Sequence, residues 1–123
     1  MQCTDFVATL FHGRDDPAKV TVAFTMALAA LGKGHSATLV LMVDAVHLGC
    51  PGATEGMDIG LPFDPVSAQL AAYLERGGRV ALCAACMAHN GLRAKDMDPR
   101  FEVIAGPDVI DLLMGAKGSL QVN

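Results

Sequence analysis

Short, almost wholly apolar runs recur along the chain, separated by longer stretches in which apolar residues return every three or four positions. A run without alternating polar residues is typical of a strand that is covered on both faces, as in a parallel sheet. The runs predict four such strands and a short fifth strand at a sheet edge: Phe6–Phe11, Ala37–Val43, Arg79–Leu82, Phe101–Ile104 and Leu120–Val122.

The stretch after the first predicted strand has the pattern of an amphipathic helix. Asp16 stands where an N-cap is expected, and Pro17 stands at the first helical position. The helix is predicted to end at Gly32, and its apolar stripe consists of Val20, Phe24, Ala27, Leu28 and Leu31. After the second strand, Asp44 is predicted to cap one or two helical turns through Leu48.

Two further helices are predicted in the second half of the chain. Asp64 is expected as the N-cap of a helix that ends at Gly77, and a final helix is expected over Gly106–Met114. Between the turns after Asp44 and this third helix lies Gly49–Phe63, the longest stretch without a regular pattern. Long loops often carry function, so this stretch is expected to be a lid or a subunit contact.

Alternation of strands and helices predicts an α/β fold, with a mostly parallel five-stranded sheet between two helix layers in flavodoxin-like layering. A chain of 123 residues is expected to form a single domain, residues 1–123, around one sheet. Residues inside the apolar runs are expected to be buried in the sheet layer: Leu10, Val40, Leu41, Leu82 and Ile104.

The amino-acid composition of the chain limits the kinds of partner that it is expected to bind. Hydrophobic residues make up 52% of the chain, yet no apolar run approaches the roughly 20 residues that cross a bilayer. The first residues lack a basic start followed by an apolar core, so we expect a soluble, cytoplasmic protein. A net charge of −4 and the absence of Trp argue against nucleic-acid binding. The apolar surplus favours burial between subunits, hence a homo-oligomer.

Four cysteines in such a chain predict free thiols, because nothing directs it to an oxidising compartment. Cys83 and Cys86 form a C-x-x-C motif where a strand passes into a helix. Free N–H groups and the helix dipole favour a thiolate there. Cys83 is expected to be partly accessible at the carboxyl edge of the sheet, where His12 and Asp44 also fall.

Several interpretations of the motif remain open at this point. The pair could exchange thiol for disulfide, with Cys86 resolving a mixed disulfide on Cys83. With His89 and either Cys50 or His47 it could bind a metal, but no second knuckle of ligands is present, and we predict neither metal nor cofactor. His12, His47 and His89 could tune a thiolate or pass a proton. Unpaired cysteines are also common core residues.

The motifs in their order resemble one family. The features that match are His12–Pro17 after the first strand, Asp44–Leu48 after the second, Gly77–Val80 before the third, and above all Cys83–Gly91. The chain resembles the DsrE/DsrF-like family, the small proteins of sulfur relay and sulfur oxidation, over essentially its full length. In that family a sulfur-carrying cysteine lies at the position of Cys83, and a glycine at that of Gly91.

The resemblance implies a three-layer α/β fold, assembled as trimers or hexamers. It also implies a sulfur carrier that accepts sulfane sulfur as a persulfide on Cys83 and passes it between unidentified donor and acceptor proteins. Cys86 is then a second catalytic candidate, with His89, His12, Asp44 and His47 in supporting roles. Two alternatives stay open: a thiol–disulfide redox protein that uses Cys83 and Cys86, and a non-catalytic oligomeric binding module.

Overall fold

A computed structural model describes residues 1–123 as one five-stranded sheet with helices on both faces. The strands are β1 (Phe6–Leu10), β2 (Ala37–Leu41), β3 (Arg79–Cys83), β4 (Glu102–Ile104) and β5 (Gly118–Val122). The α-helices are α1 (Pro17–Gly32), α2 (Val66–Glu75), α3 (Ala84–His89) and α4 (Gly106–Gly115). Short 3-10 segments cover Val43–Gly49 and Ala94–Asp96.

All four strand pairings are parallel, and the order across the sheet is β4-β3-β2-β1-β5. This confirms the predicted α/β class and the position of the last strand at an edge. Because parallel strands end at the same edge, the segments that follow β2 and β3, which are neighbours, must meet there. None of the helices combines the length and the apolar character that crossing a membrane would require.

The two faces of the sheet bury two separate apolar clusters. The larger one lies under α1 and α2 and includes Phe24 and Tyr73, whose rings meet edge to face with centroids 6.4 Å apart. The smaller one joins strand residues to Val109 and Leu112 of α4. Burial on both faces explains why the strands lack polar alternation. The residues predicted for the sheet layer are all buried: Leu10, Val40, Leu41, Leu82 and Ile104.

Helix starts follow the predicted caps in one case of three. Asp16 caps α1, accepting a hydrogen bond from the backbone N–H of Lys19 at 3.2 Å. The prediction for Asp64 is wrong, because Pro65 has an extended ψ of 144° and itself becomes the N-cap of α2. The prediction for Asp44 is also wrong: it lies in the first turn of a 3-10 segment capped by Met42, without a side-chain cap.

The second strand ends two residues earlier than its apolar run. Val43 has φ 53°, in the left-handed region that a β-branched residue rarely adopts. This conformation turns the chain out of β2 and into the segment Val43–Gly49. Apolar character alone therefore extended the predicted strand too far. The loop Gly49–Phe63 is packed in part, since Met57 is only 4% exposed and its carbonyl accepts the Val66 N–H at 2.9 Å.

The start of β3 is fixed by a close approach of backbone to an aromatic ring. Tyr73 is fully buried, and its hydroxyl donates to the Arg79 carbonyl at 2.8 Å. A Cβ atom on Gly78 would overlap the Tyr73 ring. Only glycine allows the chain to pass from α2 into β3 at this distance from the ring. This junction sets the position of the strand whose other end carries the C-x-x-C motif.

Candidate functional site

The candidate site is a groove at the carboxyl edge of the sheet, where α3 lies against the segment Val43–Gly49. Its volume is about 340 Å³. The residues that line the groove are Val43, Asp44, Ala85, Cys86, His89 and Asn90. The structure thus brings Asp44, which was predicted at a strand end, into the same groove as Cys86 and His89 of α3.

Cys83 lies beneath this groove rather than on its surface. It is the last residue of β3 and the N-cap of α3, and it is only 4% exposed. The expectation that Cys83 would be partly accessible is therefore wrong. As the end of a strand with neighbours on both sides, it packs into the larger core cluster. The helix that follows has only six residues, so the field of its dipole is weaker than that of a longer helix.

Cys86 is the thiol that reaches the groove. It is the third residue of α3 and is half-buried. Burial raises the pKa of the Cys86 thiol, a hydrogen bond from the Val43 backbone opposes this shift, and the neighbouring Cys83 side chain raises the pKa further. Cys86 is consequently a neutral thiol at neutral pH, and the influence of the Cys83 side chain on its pKa agrees with their positions at the start of α3.

Asn90 joins the two sides of the groove, and sequence reasoning missed it. Its Nδ2 donates to the carbonyl oxygen of Cys86 at 2.8 Å and to that of Val43 at 3.5 Å. Its Oδ1 accepts from His47 Nε2 at 3.1 Å. We call these contacts the Asn90 clamp. The clamp connects the left-handed Val43 with the helical turn that carries Cys86. An amide one residue before a helix-ending glycine was the only signal for it in the sequence.

The remaining predicted histidines divide between the groove and other places. His89 lines the groove, and His47 reaches the groove only through Asn90. His12 follows β1, which β2 separates from β3. Its Nδ1 pairs with Asp15 at 2.9 Å, and its Nε2 lies 3.5 Å from Lys19 Nζ. The structure therefore does not bring His12 to the cysteines. The His12 contact holds the pKa of the Asp15 carboxyl below its ordinary value.

The other thiols lie apart from the motif. Cys50 lines a separate cavity of about 150 Å³ with Asp98 and Arg100, and Cys3 is exposed ahead of β1. All four cysteines are free. No three His, Cys, Asp or Glu side chains lie close enough together to hold a metal ion. The set weighed as metal ligands (Cys83, Cys86 and His89 with Cys50 or His47) does not form such a cluster.

Comparison with known proteins identifies the family. The model of the DsrE/DsrF-like family matches residues 6–117, nearly the whole chain. The chain belongs to the DsrE/DsrF-like family. Membership suggests a role in sulfur relay in general terms, and the resemblance seen in the sequence motifs is confirmed. None of the curated proteins matches the chain.

Solved structures show the same fold at low sequence identity. The ychN protein from E. coli superposes with a TM-score of 0.70 at 18% identity, over 98% of this chain and 99% of that one. MTH1491 from Methanobacterium thermoautotrophicum, a protein of unknown function, superposes with a TM-score of 0.65 at 13% identity, over 94% of this chain and 97% of that one. These likenesses confirm the three-layer α/β fold.

Proposed function

We propose that the protein carries sulfane sulfur as a persulfide on Cys83 and passes it between a donor protein and an acceptor protein. The observation that carries the proposal is the position of Cys83 at the end of β3, next to Cys86 and beneath a groove. The sulfur-carrying cysteine of the DsrE/DsrF-like family is expected at this same position. Family membership supports sulfur relay, and the groove gives a partner protein a place to reach the motif.

In the loading step, the Cys83 thiolate attacks the outer sulfur of a donor persulfide. A new S–S bond forms on Cys83, and the donor thiolate leaves with the electron pair of the broken S–S bond. The added sulfur extends Cys83 by one S–S bond, about 2 Å. Because Cys83 itself is 4% exposed, loading also needs α3 to move slightly from the segment Val43–Gly49. A helix of only six residues can separate locally from its neighbours at a low free-energy cost.

The groove residues take supporting roles in this proposal. His89 can exchange a proton with the leaving or entering thiol, since it lines the same groove as Cys86. Asp44 places a carboxylate on the rim and disfavours anionic partners close to it. His47 can influence the groove only through its hydrogen bond to Asn90. The proposed setting is the cytoplasm, and the proposed assembly is a trimer or hexamer.

A thiol–disulfide redox protein is the second candidate. Its support is the adjacency of the two thiols together with the raised pKa of the Cys86 thiol. A protonated partner thiol next to a nucleophilic cysteine is the arrangement that redox C-x-x-C proteins use. The burial of Cys83 would also suit the third candidate, a non-catalytic binding module whose cysteines are core residues.

The experiment is a loading assay with glutathione persulfide as the donor, read by intact mass. We expect the wild-type protein to gain one sulfur atom, which a thiol reductant then removes. Cys83→Ala should gain none, and Cys50→Ser should load like the wild type because Cys50 lies in another cavity. Alanine keeps an apolar side chain at this buried position, and circular dichroism checks that Cys83→Ala retains the fold. Normal loading of Cys83→Ala would refute the proposal.

A further inference from the structure

The two motif cysteines occupy positions that face each other at the start of a helix. Cys83 is the N-cap of α3, and Cys86 is the third helical residue. An N-cap side chain reaches back over this third residue, which is why the same two positions form the capping box in other helices. The mutual influence of the two thiols agrees with this placement. A sulfur atom bound to Cys83 would therefore lie next to the Cys86 thiol.

Cys86 is also the one thiol placed to react with such a sulfur. It lines the groove, whereas Cys50 lines a separate cavity and the Cys3 thiol donates to the Asp111 carbonyl at 3.6 Å, beside α4. A carrier that only hands sulfur to a partner needs a single cysteine. The second thiol at this place has no use in the simple relay described above.

We propose that Cys86 discharges the persulfide of Cys83 as sulfide when no acceptor takes the sulfur. This inference rests on the proposed function. The Cys86 thiolate attacks Sγ of Cys83, the Sγ–Sγ bond forms, and the bond from Sγ to the outer sulfur breaks. Hydrosulfide leaves with that electron pair and takes up the proton that Cys86 lost. The outer sulfur is reduced to sulfide, the Cys86 thiol is oxidised as it joins Cys83 in the disulfide, and a cellular dithiol returns the pair to two thiols.

The surroundings of Cys86 make this discharge slow at neutral pH. Burial raises the pKa of its thiol, so only a small fraction is thiolate, and the thiolate is the species that attacks. The persulfide then lasts long enough for delivery to an acceptor. Below the pKa of Cys86, the thiolate fraction rises about tenfold for each pH unit. Discharge should therefore accelerate steadily as the pH rises through and beyond neutrality.

The test starts from protein that is loaded with glutathione persulfide at mildly acidic pH and then freed of the donor by desalting. The pH is raised, and intact mass and released sulfide are followed in time. We expect the wild-type protein to lose the added sulfur and two hydrogens while one equivalent of sulfide appears. The rate should increase with pH and stay independent of protein concentration, because the reaction is within one chain. A dithiol should then restore the reduced mass.

Two variants separate the outcomes. Cys86→Ser should keep its added sulfur and release no sulfide, while Cys50→Ser should discharge like the wild type. Stable persulfide in the wild-type protein across the pH series would overturn the discharge and leave the carrier function standing. Transfer of the sulfur to Cys86 without sulfide release, or discharge by Cys86→Ser at the wild-type rate, would also overturn it. Failure of the wild-type protein to load at all would overturn both proposals.

Discussion

At the scale of single residues, the two motif cysteines differ in how far they are buried. Cys83 is enclosed in the core, while Cys86 lies half-buried in the groove with a raised pKa. The sequence predicted the motif at a strand end, because an apolar run followed by a glycine-ended helical stretch indicates a strand-to-helix junction. It could not predict the burial of Cys83, which depends on how the segment after β2 packs against α3.

The Asn90 clamp gives a prediction at this scale. Asn90→Ala removes the side-chain bonds to the Cys86 and Val43 carbonyls, and with them the connection between α3 and the left-handed Val43. Cys86 should become more exposed, so its pKa should fall towards the ordinary thiol value and its alkylation at neutral pH should become faster. The measurement is the pH dependence of iodoacetamide labelling of Cys86, read by peptide mass.

His47→Ala serves as the matched control for the clamp. It removes only the bond from His47 to Asn90 Oδ1 and leaves both carbonyl contacts of Asn90 in place. We expect a smaller change in the labelling profile than for Asn90→Ala. The loss of the half-buried hydrogen bond to the Cys86 carbonyl should also lower the stability of Asn90→Ala by about 1 kcal/mol. An unchanged labelling profile in Asn90→Ala would show that the clamp does not control the environment of Cys86.

At the scale of elements, the same two-residue signal predicted one helix start correctly and another wrongly. Asp16 followed by Pro17 does start α1, because both positions agree with the geometry of a helix N-terminus. Asp64 followed by Pro65 is the same Asp-Pro motif, but Pro65 has an extended ψ and becomes the N-cap in place of Asp64. The cap therefore depended on the path of the preceding loop, which no local pattern contains.

The junction between α2 and β3 gives the element-scale prediction. Gly78→Ala places a methyl group against the buried Tyr73 ring and should destabilise the protein by about 1–3 kcal/mol. Gly32→Ala is the control, because a Cβ there meets open space at the end of α1. It should be neutral or stabilising by up to about 1 kcal/mol. Urea unfolding followed by circular dichroism measures both, and equal stabilities would contradict the account of this junction.

At the scale of the whole molecule, apolar runs and their alternation with helices predicted the parallel sheet and its two helix layers. The strand order was beyond prediction, because it depends on the crossover that places β4 beside β3 and β5 beside β1 rather than on any pattern within a strand. The same sheet order explains why His12 lies away from the motif: it follows β1, two strands from the strand that ends at Cys83, although it shares the carboxyl edge.

Assembly is the molecule-scale prediction. Several large apolar side chains are exposed on the single chain, including Leu61 at 94%, Met114 at 82% and Ile110 at 59%. Burial of such residues between subunits is favourable. We expect light scattering at micromolar concentration and physiological salt to report a trimer or hexamer. A monomer under these conditions would contradict the proposed assembly without touching the cysteine chemistry.

The central claim is that Cys83 carries the sulfur, and mapping the sulfur in Cys86→Ser tests it most directly. Cleavage after Arg79 and Arg93 yields one peptide that contains Cys83 and neither Cys3 nor Cys50. After incubation with glutathione persulfide and blocking with iodoacetamide, this peptide should carry one extra sulfur atom beneath its alkyl group. An unmodified Cys83 peptide, or extra sulfur found only on Cys3 or Cys50, would contradict the claim.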